Sequence, residues 1–334
     1  MTALLVVLAI GFAYSMGAHY TGACMGMPHA LHAISAWRAL VVMAPLTLVG
    51  AALVSHQVEH TVGHDLLTGA GLSATGLVIV IGVAFGLTSA FNVAKIPTST
   101  IQILVFTVVG SGLGAGVGVH WSTVAALAIV WVAAPPVAAA LGFALTRALD
   151  LVPATRARNQ PTAACHVASS GLDMVGLSLV AVGALASFTM GGNDVANATG
   201  SLVANHTFSP LIAGLIGGLG LAAGVLTWGR PLLRKIAFDI VTVDRPMATA
   251  AQLVQAVVVL AAVGFGFFTS MNQALIGAMT GAGAARGRHT VHRSSLRGVL
   301  RGWVIGPGAG VGLGYLITWL VAVTAGRHAL LARM

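Results

Sequence analysis

Apolar residues in this chain come in long unbroken blocks, not in alternation. Ten blocks can be drawn, near 2–16, 37–55, 70–92, 97–117, 121–146, 167–188, 209–228, 249–267, 269–284 and 303–324. Most approach the ~20 residues a helix needs to cross a bilayer core of ~30 Å. A transmembrane barrel would instead show shorter segments with alternating faces. Two polar, Gly-rich stretches interrupt the pattern, at 17–35 and 190–206, and a polar linker runs from Arg147 to Gln160. The pattern predicts an all-α polytopic membrane protein.

Composition supports that reading. The chain is 57% hydrophobic and 7% charged, with mean hydropathy +0.94, where a soluble domain carries roughly 25% charged residues. A net charge of +9 does not point to nucleic acid, because the basic residues sit in short loops between apolar blocks, where they set orientation. Forty-three glycines suit close helix packing. Cys24 and Cys165 fit no disulfide framework and read as small packing residues. Residues 3–15 lack a charged leader and a cleavage pattern, and read as a first span and not as a removed signal.

The two halves repeat. Gly17-Ala-His-Tyr-Thr-Gly-Ala-Cys-Met-Gly26 aligns without gaps on Gly191-Gly-Asn-Asp-Val-Ala-Asn-Ala-Thr-Gly200. Pro97-Thr-Ser-Thr-Ile-Gln102 aligns on Phe268-Thr-Ser-Met-Asn-Gln273, and Trp131–Pro135 on Trp303–Pro307. The expected domains are a first repeat at 1–146, a linker at 147–166 and a second repeat at 167–334.

Five spans per half is an odd number, so the second half must enter the membrane with opposite polarity. Charge agrees with this. The loops at 229–245 and 285–302 are rich in Arg and Lys, and their counterparts at 56–69 and near 118–121 have none. With the linker cytoplasmic, only Arg327 and Arg333 of the sixteen Lys and Arg fall outside. The expectation is two inverted repeats of about five spans each with re-entrant or broken helices, both termini outside, in a plasma (inner) membrane.

Met190–Ser201 carries the sharpest candidate chemistry. Asp194 is one of seven acidic residues in the chain and lies between Asn193 and Asn197, in otherwise apolar surroundings. A carboxylate at membrane depth is costly and marks a pathway or binding site. Gly191, Gly192 and Gly200 predict a helix that breaks there and exposes backbone groups. Amide and carboxylate oxygens suit Na⁺ or another hard cation, and a carboxylate can also carry a proton. A helix cap would use the same residue types, but it requires no second copy.

The second candidate group is Ser99, Thr100 and Gln102, with Ser270, Asn272 and Gln273 in the other half. Neutral hydroxyls and amides can donate several hydrogen bonds to a small oxyanion without trapping it as a lysine would. Bonding across packed helices uses the same residues. Pro97 favours a break just before the first copy.

These motifs resemble the inorganic phosphate transporter (PiT) family, which carries a G-A-N-D-x-A-N-A motif in each half followed by P-x-S-T-T-[HQ]. Met190–Ser201 is similar to the first motif with Gly192 in place of Ala. Pro97–Gln102 is similar to the second with Ile101 for Thr, and Trp228–Lys235 looks like the family's G-R-K-V loop. The resemblance implies secondary uptake of phosphate coupled to Na⁺ or H⁺, with no other cofactor. No nucleophile–base pair or zinc motif lies within the spans, so no enzymatic activity is expected. The resemblance nominates Asn193, Asp194 and Asn197 for the coupling ion. It nominates Ser99, Thr100, Gln102, Ser270, Asn272 and Gln273 for the anion.

The chain departs from the family pattern in both halves. The first-half Asn-Asp is His19-Tyr20, and the second Asn is Ala23; Ser-Thr-Thr of the second half reads Ser270-Met271-Asn272, after Phe268 in place of Pro. His19 is therefore a candidate proton carrier, against a histidine simply bonded in a packed helix break. Losing one of two carboxylates also brings in sulfate, which has no P–OH proton for a carboxylate to accept. A degenerate first motif resembles the sulfate-permease branch of the family.

His56, His60 and His64 fall at i, i+4, i+8, a spacing at which two histidines on a helix can hold Zn²⁺. A solvated amphipathic loop explains the same face, and no metal site is assigned. Gly110–Gly116 resembles a nucleotide loop by composition only; inside a span it reads as helix packing. The expected partners are inorganic phosphate or sulfate, membrane lipid and, as an open alternative, further copies of the chain. A passive anion channel is the rival of a different class.

Overall fold

The computed structural model describes residues 1–56, 58–59, 65–69, 71–152, 174–204, 207–233, 243–287 and 293–331. Among them eleven helices follow one another: α1 Thr2–His19, α2 Thr21–Ala30, α3 Ala36–Val54, α4 Ala74–Ala94, α5 Thr100–Gly114, α6 Trp121–Leu149, α7 Met174–Ala204, α8 Pro210–Trp228, α9 Arg245–Gly264, α10 Met271–Arg286 and α11 Arg293–Leu331. The protein is a helical multi-pass membrane protein. Among the described residues, eight helical segments are long and apolar enough to span a bilayer, α1 and α2 counting as one.

Where helices end and begin differs from the sequence pattern in three places. The break expected at Gly191 and Gly192 does not occur, and α7 runs unbroken from Met174 through Asp194 to Ala204. It falls in the other copy, at Tyr20 (φ −94°, ψ 2°), which ends α1 and starts α2. The blocks drawn as spans at 97–117 and 269–284 are shorter helices, α5 with 15 residues and α10 with 16. At 1.5 Å per residue these reach only ~22–24 Å, and each is preceded by a non-helical stretch, Ile96–Ser99 and Phe267–Ser270, that ends in an extended Ser cap.

The glycines act in packing. A Cβ on Gly191 would lie 2.0 Å from the carbonyl oxygen of Thr47 in α3, and one on Gly17 would lie 2.1 Å from that of Leu221 in α8. Backbone therefore meets backbone at these positions, and the helix has no need to break for the glycines to be required. Gly110 approaches Val311 of α11 in the same way, and Gly281 approaches Ala139 of α6.

Helix partners recur in matched order. α3 packs on α7 as α8 packs on α1, and α5 on α11 as α10 on α6; α4 lies against α1 and α5 as α9 lies against α7 and α10. Apolar side chains lie on the outside as well as inside: Val7, Leu53, Ile129, Val132, Leu219 and Val304 are all well exposed, as a lipid-facing surface requires. Polar side chains are concentrated in the interior, on α5, α7, α9 and α10, the reverse of a soluble protein.

Candidate functional site

The first turns of α5 and α10 face each other at the centre. Ser99 and Ser270 are their N-caps, each hydroxyl accepting the backbone N–H three residues on, from Gln102 and Gln273 respectively (both 3.3 Å). This capping is what Ser does best at a helix start, and it leaves each hydroxyl proton available to donate. Gln102 Nε2 donates to Gln273 Oε1 (3.3 Å) and Gln273 Nε2 to Gln102 Oε1 (3.1 Å). The two copies of the polar motif thus meet amide to amide.

The non-helical residues ahead of these helices are held by the other pair of motifs. Asn193 Nδ2 donates to Thr269 O (2.9 Å), and Thr269 N–H returns a bond to Asn193 Oδ1 (3.2 Å). In the other copy Thr98 N–H donates to His19 Nε2 (3.3 Å). The Nδ1 of His19 meets Asn92 Oδ1, whose amide nitrogen is committed to Ser15 O at 2.8 Å. With Asn92 turned that way, Nδ1 carries the imidazole proton and Nε2 accepts, as inferred from the hydrogen-bond network. His19 and Asn193 therefore grip corresponding backbone on opposite sides of the centre.

The remaining nominated residues complete the cluster. Thr100 Oγ1 pairs with the Tyr20 hydroxyl at 2.8 Å. Asn272 Nδ2 donates to Thr98 O (2.8 Å) and lies 3.2 Å from His19 Nε2. Asp194 is fully buried, accepts from Asn193 Nδ2 (3.1 Å), and neighbours the Tyr20 phenol. Asn197 reaches Met16 Sδ at 3.9 Å. The Oδ1 atoms of Asp194, Asn197 and Asn272 are buried with no hydrogen-bond partner among the described residues. Three unsatisfied acceptors in one interior are costly, and acceptor oxygens of this kind are what a cation or proton would complete.

The sequence reading missed several members. Asn92 and Thr98 complete the His19 clamp, and Gln252 of α9 donates to Cys24 O while Gln255 donates to Met271 O (3.3 Å). Lone amides in apolar spans were the available signal. Among the described residues, no group of three or more His, Cys, Asp or Glu can hold a metal ion. Of the three histidines at 56, 60 and 64, His56 is exposed; His60 and His64 lie outside the described residues, as does Cys165.

A bundle of membrane helices gathering neutral donors and one carboxylate around two opposed short helices defines the class: a polytopic protein with an interior polar site. The whole of residues 16–314 matches the family described as "Phosphate transporter family", and the chain belongs to that family. It is 31% identical over 147 residues to "Inorganic phosphate transporter 2-1, chloroplastic" of Arabidopsis thaliana, a match covering 40% of this chain and 25% of that protein. It is 25% identical over 318 residues to "Sulfate permease CysP" of Bacillus subtilis, covering 94% of this chain and 86% of that one. A solved structure, "The sodium-dependent phosphate transporter", shares the fold with TM-score 0.85 at 19% identity, over 96% of this chain and 99% of that one.

Proposed function

We propose that the protein is a secondary transporter that moves inorganic phosphate across the membrane, coupled to a cation. The observation that carries this reading is the meeting of Ser99–Gln102 and Ser270–Gln273, first turn to first turn, linked by the reciprocal Gln102–Gln273 pair. Two capped helix starts with hydroxyl and amide side chains offer many neutral donors to one small anion. The buried polar side chains among the described residues include no Lys or Arg, so the anion would be held lightly enough to leave. Asp194, with Asn193 and Asn197, would take the coupling Na⁺ or proton. His19, neutral and bonded through both nitrogens, fits a clamp on the Thr98 segment better than a proton carrier.

The repeated helix pairing supports an inverted repeat that rocks about this centre. Two clusters at opposite ends support the expected orientation. Leu67 and Val119 bridge the loops that carry no Lys or Arg. At the basic end, Arg286 joins Asp150 (2.6 Å) to Asp244 (3.3 Å). These placements agree with a cytoplasmic linker at 147–166 and both termini outside.

Sulfate is the second reading. Tyr20 stands where a second carboxylate would be expected, and the relative named a sulfate permease matches 94% of this chain. Proteoliposome uptake of labelled phosphate and sulfate, with Na⁺ and pH gradients imposed separately, decides between them. Accumulation of phosphate against its gradient supports the proposal, and accumulation of sulfate alone supports the second reading. Flux indifferent to every cation gradient would make the protein a passive channel.

A further inference from the structure

Glu59 is, beside Asp194, a second buried carboxylate among the described residues. It follows α3 on the segment predicted to face outside, and its side chain is fully buried. Oε1 accepts from Thr199 Oγ1 (2.8 Å) and from Ser55 Oγ (3.2 Å); Oε2 is buried with no partner among the described residues. Thr199 lies on α7, five residues past Asp194, a rise of ~7.5 Å along the helix. Glu59 thus ties the end of α3 to the outer part of the helix that carries the coupling carboxylate.

No cation faces this carboxylate among the described residues. On α7 the only titratable side chain is Asp194, itself an acid; α8, which packs on Ser55 through Gly214, has none. The one basic residue of α3, Arg38, lies at the other end of that helix. On Glu59's own segment His56 is exposed, Asp65 is half-buried, and His60 and His64 fall outside the described residues. An ionised carboxylate buried without a counter-charge is costly. A neutral acid fits better: Oε1 lies within hydrogen-bond reach of two hydroxyls, and no positive charge among the described residues offsets an ionised group.

We propose that Glu59 is a proton-binding site of the transport cycle, which when protonated lets the end of α3 pack dry against α7 beside Thr199 and when ionised draws water to the outer end of α7 and loosens it. The proposal deepens the transport reading and rests on it, naming the proton as a coupling or gating ion from the outer side. Ionisation would place a bare charge beside Thr199, draw in water and weaken the packing that holds the Asp194 segment shut.

The test is uptake into proteoliposomes as a function of external pH, for the wild type, Glu59→Gln and His56→Gln. One site with a midpoint near 7 changes its protonated fraction about tenfold between pH 8 and pH 6, so wild-type uptake changes by about that factor and Glu59→Gln flattens the profile. His56→Gln, an exposed neighbour, leaves the profile in place. Infrared difference spectroscopy of the purified protein gives a readout independent of flux: a protonated-carboxyl band that titrates near neutral pH and is lost in Glu59→Gln. Glu59→Asp, should Glu59→Gln fail to fold, moves the band and its midpoint. Matching pH profiles in wild type and Glu59→Gln, with the band intact, overturn the assignment. A Na⁺-dependent rise in melting temperature that requires Glu59, with no titrating band, makes it a Na⁺ ligand and equally overturns it. Absence of any uptake by the wild type would count against the transport reading, while the infrared titration still tests Glu59.

Discussion

Gln102 and Gln273, 171 positions apart in the sequence, hydrogen-bond each other in both directions, at 3.3 and 3.1 Å. Each glutamine follows a Ser cap by three residues, so the pair marks where the two copies of one motif face each other. An anion bound between the helix starts would draw on these amides. Gln102→Ala and Gln273→Ala should each raise KM for the anion about 5- to 30-fold, the equivalent of one or two neutral hydrogen bonds at ~1 kcal/mol each. The double variant should show less than the sum, because each glutamine is the other's partner. Uptake kinetics of the three variants check this, and an unchanged KM in all of them would place the anion elsewhere.

Asp194 accepts from Asn193 Nδ2, and its Oδ1 has no hydrogen-bond partner among the described residues. Asp194→Asn preserves size and hydrogen bonding but removes the charge and the titratable proton. The expected result is loss of gradient-driven accumulation, by more than tenfold, with the protein still folded by its melting curve. Asp194→Ala should behave likewise. Uptake by Asp194→Ala equal to the wild type would remove this residue from the coupling site.

Much of this arrangement was legible in the sequence because the chemistry comes twice. Asp194 with its two asparagines, and the Ser/Gln pairs after Pro97 and Phe268, stood out as polar groups in apolar blocks, and the structure brings them into one interior cluster. The fate of the glycines was not legible. Glycine permits both a broken helix and a close helix contact, and only the neighbour decides which. At Gly191 the neighbour is the Thr47 carbonyl, so α7 continues, whereas at Tyr20 the chain kinks without needing a glycine. Glu59 was equally hidden: a glutamate among histidines in a loop reads as solvated until Thr199, 140 positions away, is found bonded to it.

His19 makes the same backbone grip at Thr98 that Asn193 makes at Thr269. His19→Ala would leave Asn92 Oδ1, the Thr98 N–H and one Asn272 bond unanswered in a buried place. Three orphaned buried groups at about 1–3 kcal/mol each put the loss at about 3 kcal/mol or more. His19→Asn, which copies the other half, should retain more stability and more uptake than His19→Ala. Thermal melting in detergent, paired with uptake, checks the order; equal melting temperatures for the two variants would mean that the ring's bonds contribute nothing.

Glu59 also makes stability depend on pH. Burial raises its pKa from 4.5 to about 7, against smaller opposing effects from the Thr199 and Ser55 hydroxyls. The folded protein therefore keeps a proton that the unfolded chain gives up at lower pH. Its contribution is complete below about pH 4.5, is lost as pH rises through about 7, and is flat above that. The melting temperature of the wild type should fall between pH 5 and pH 8 by a margin that Glu59→Gln lacks, the equivalent of a few kcal/mol at about 1.4 kcal/mol per pH unit. Parallel melting curves for both proteins across that range would show that Glu59 does not titrate there.

Gly191 and Gly17 test the packing of the two copies. A methyl on either would overlap a backbone carbonyl at 2.0 and 2.1 Å, and backbone cannot swing aside as a side chain can. Gly191→Ala and Gly17→Ala must push α7 off α3 and α1 off α8, and each should cost at least the 1–3 kcal/mol typical of overpacking. The shift would fall on Asn193 and His19, two residues further along in each case, so uptake should drop with stability. Gly308→Ala is the matched control, since a Cβ there meets nothing within 4 Å, and it should melt with or slightly above the wild type because alanine is the better helix former. If Gly191→Ala melts with Gly308→Ala, the close approach of α7 to α3 is not the contact that fixes the Asp194 segment in place.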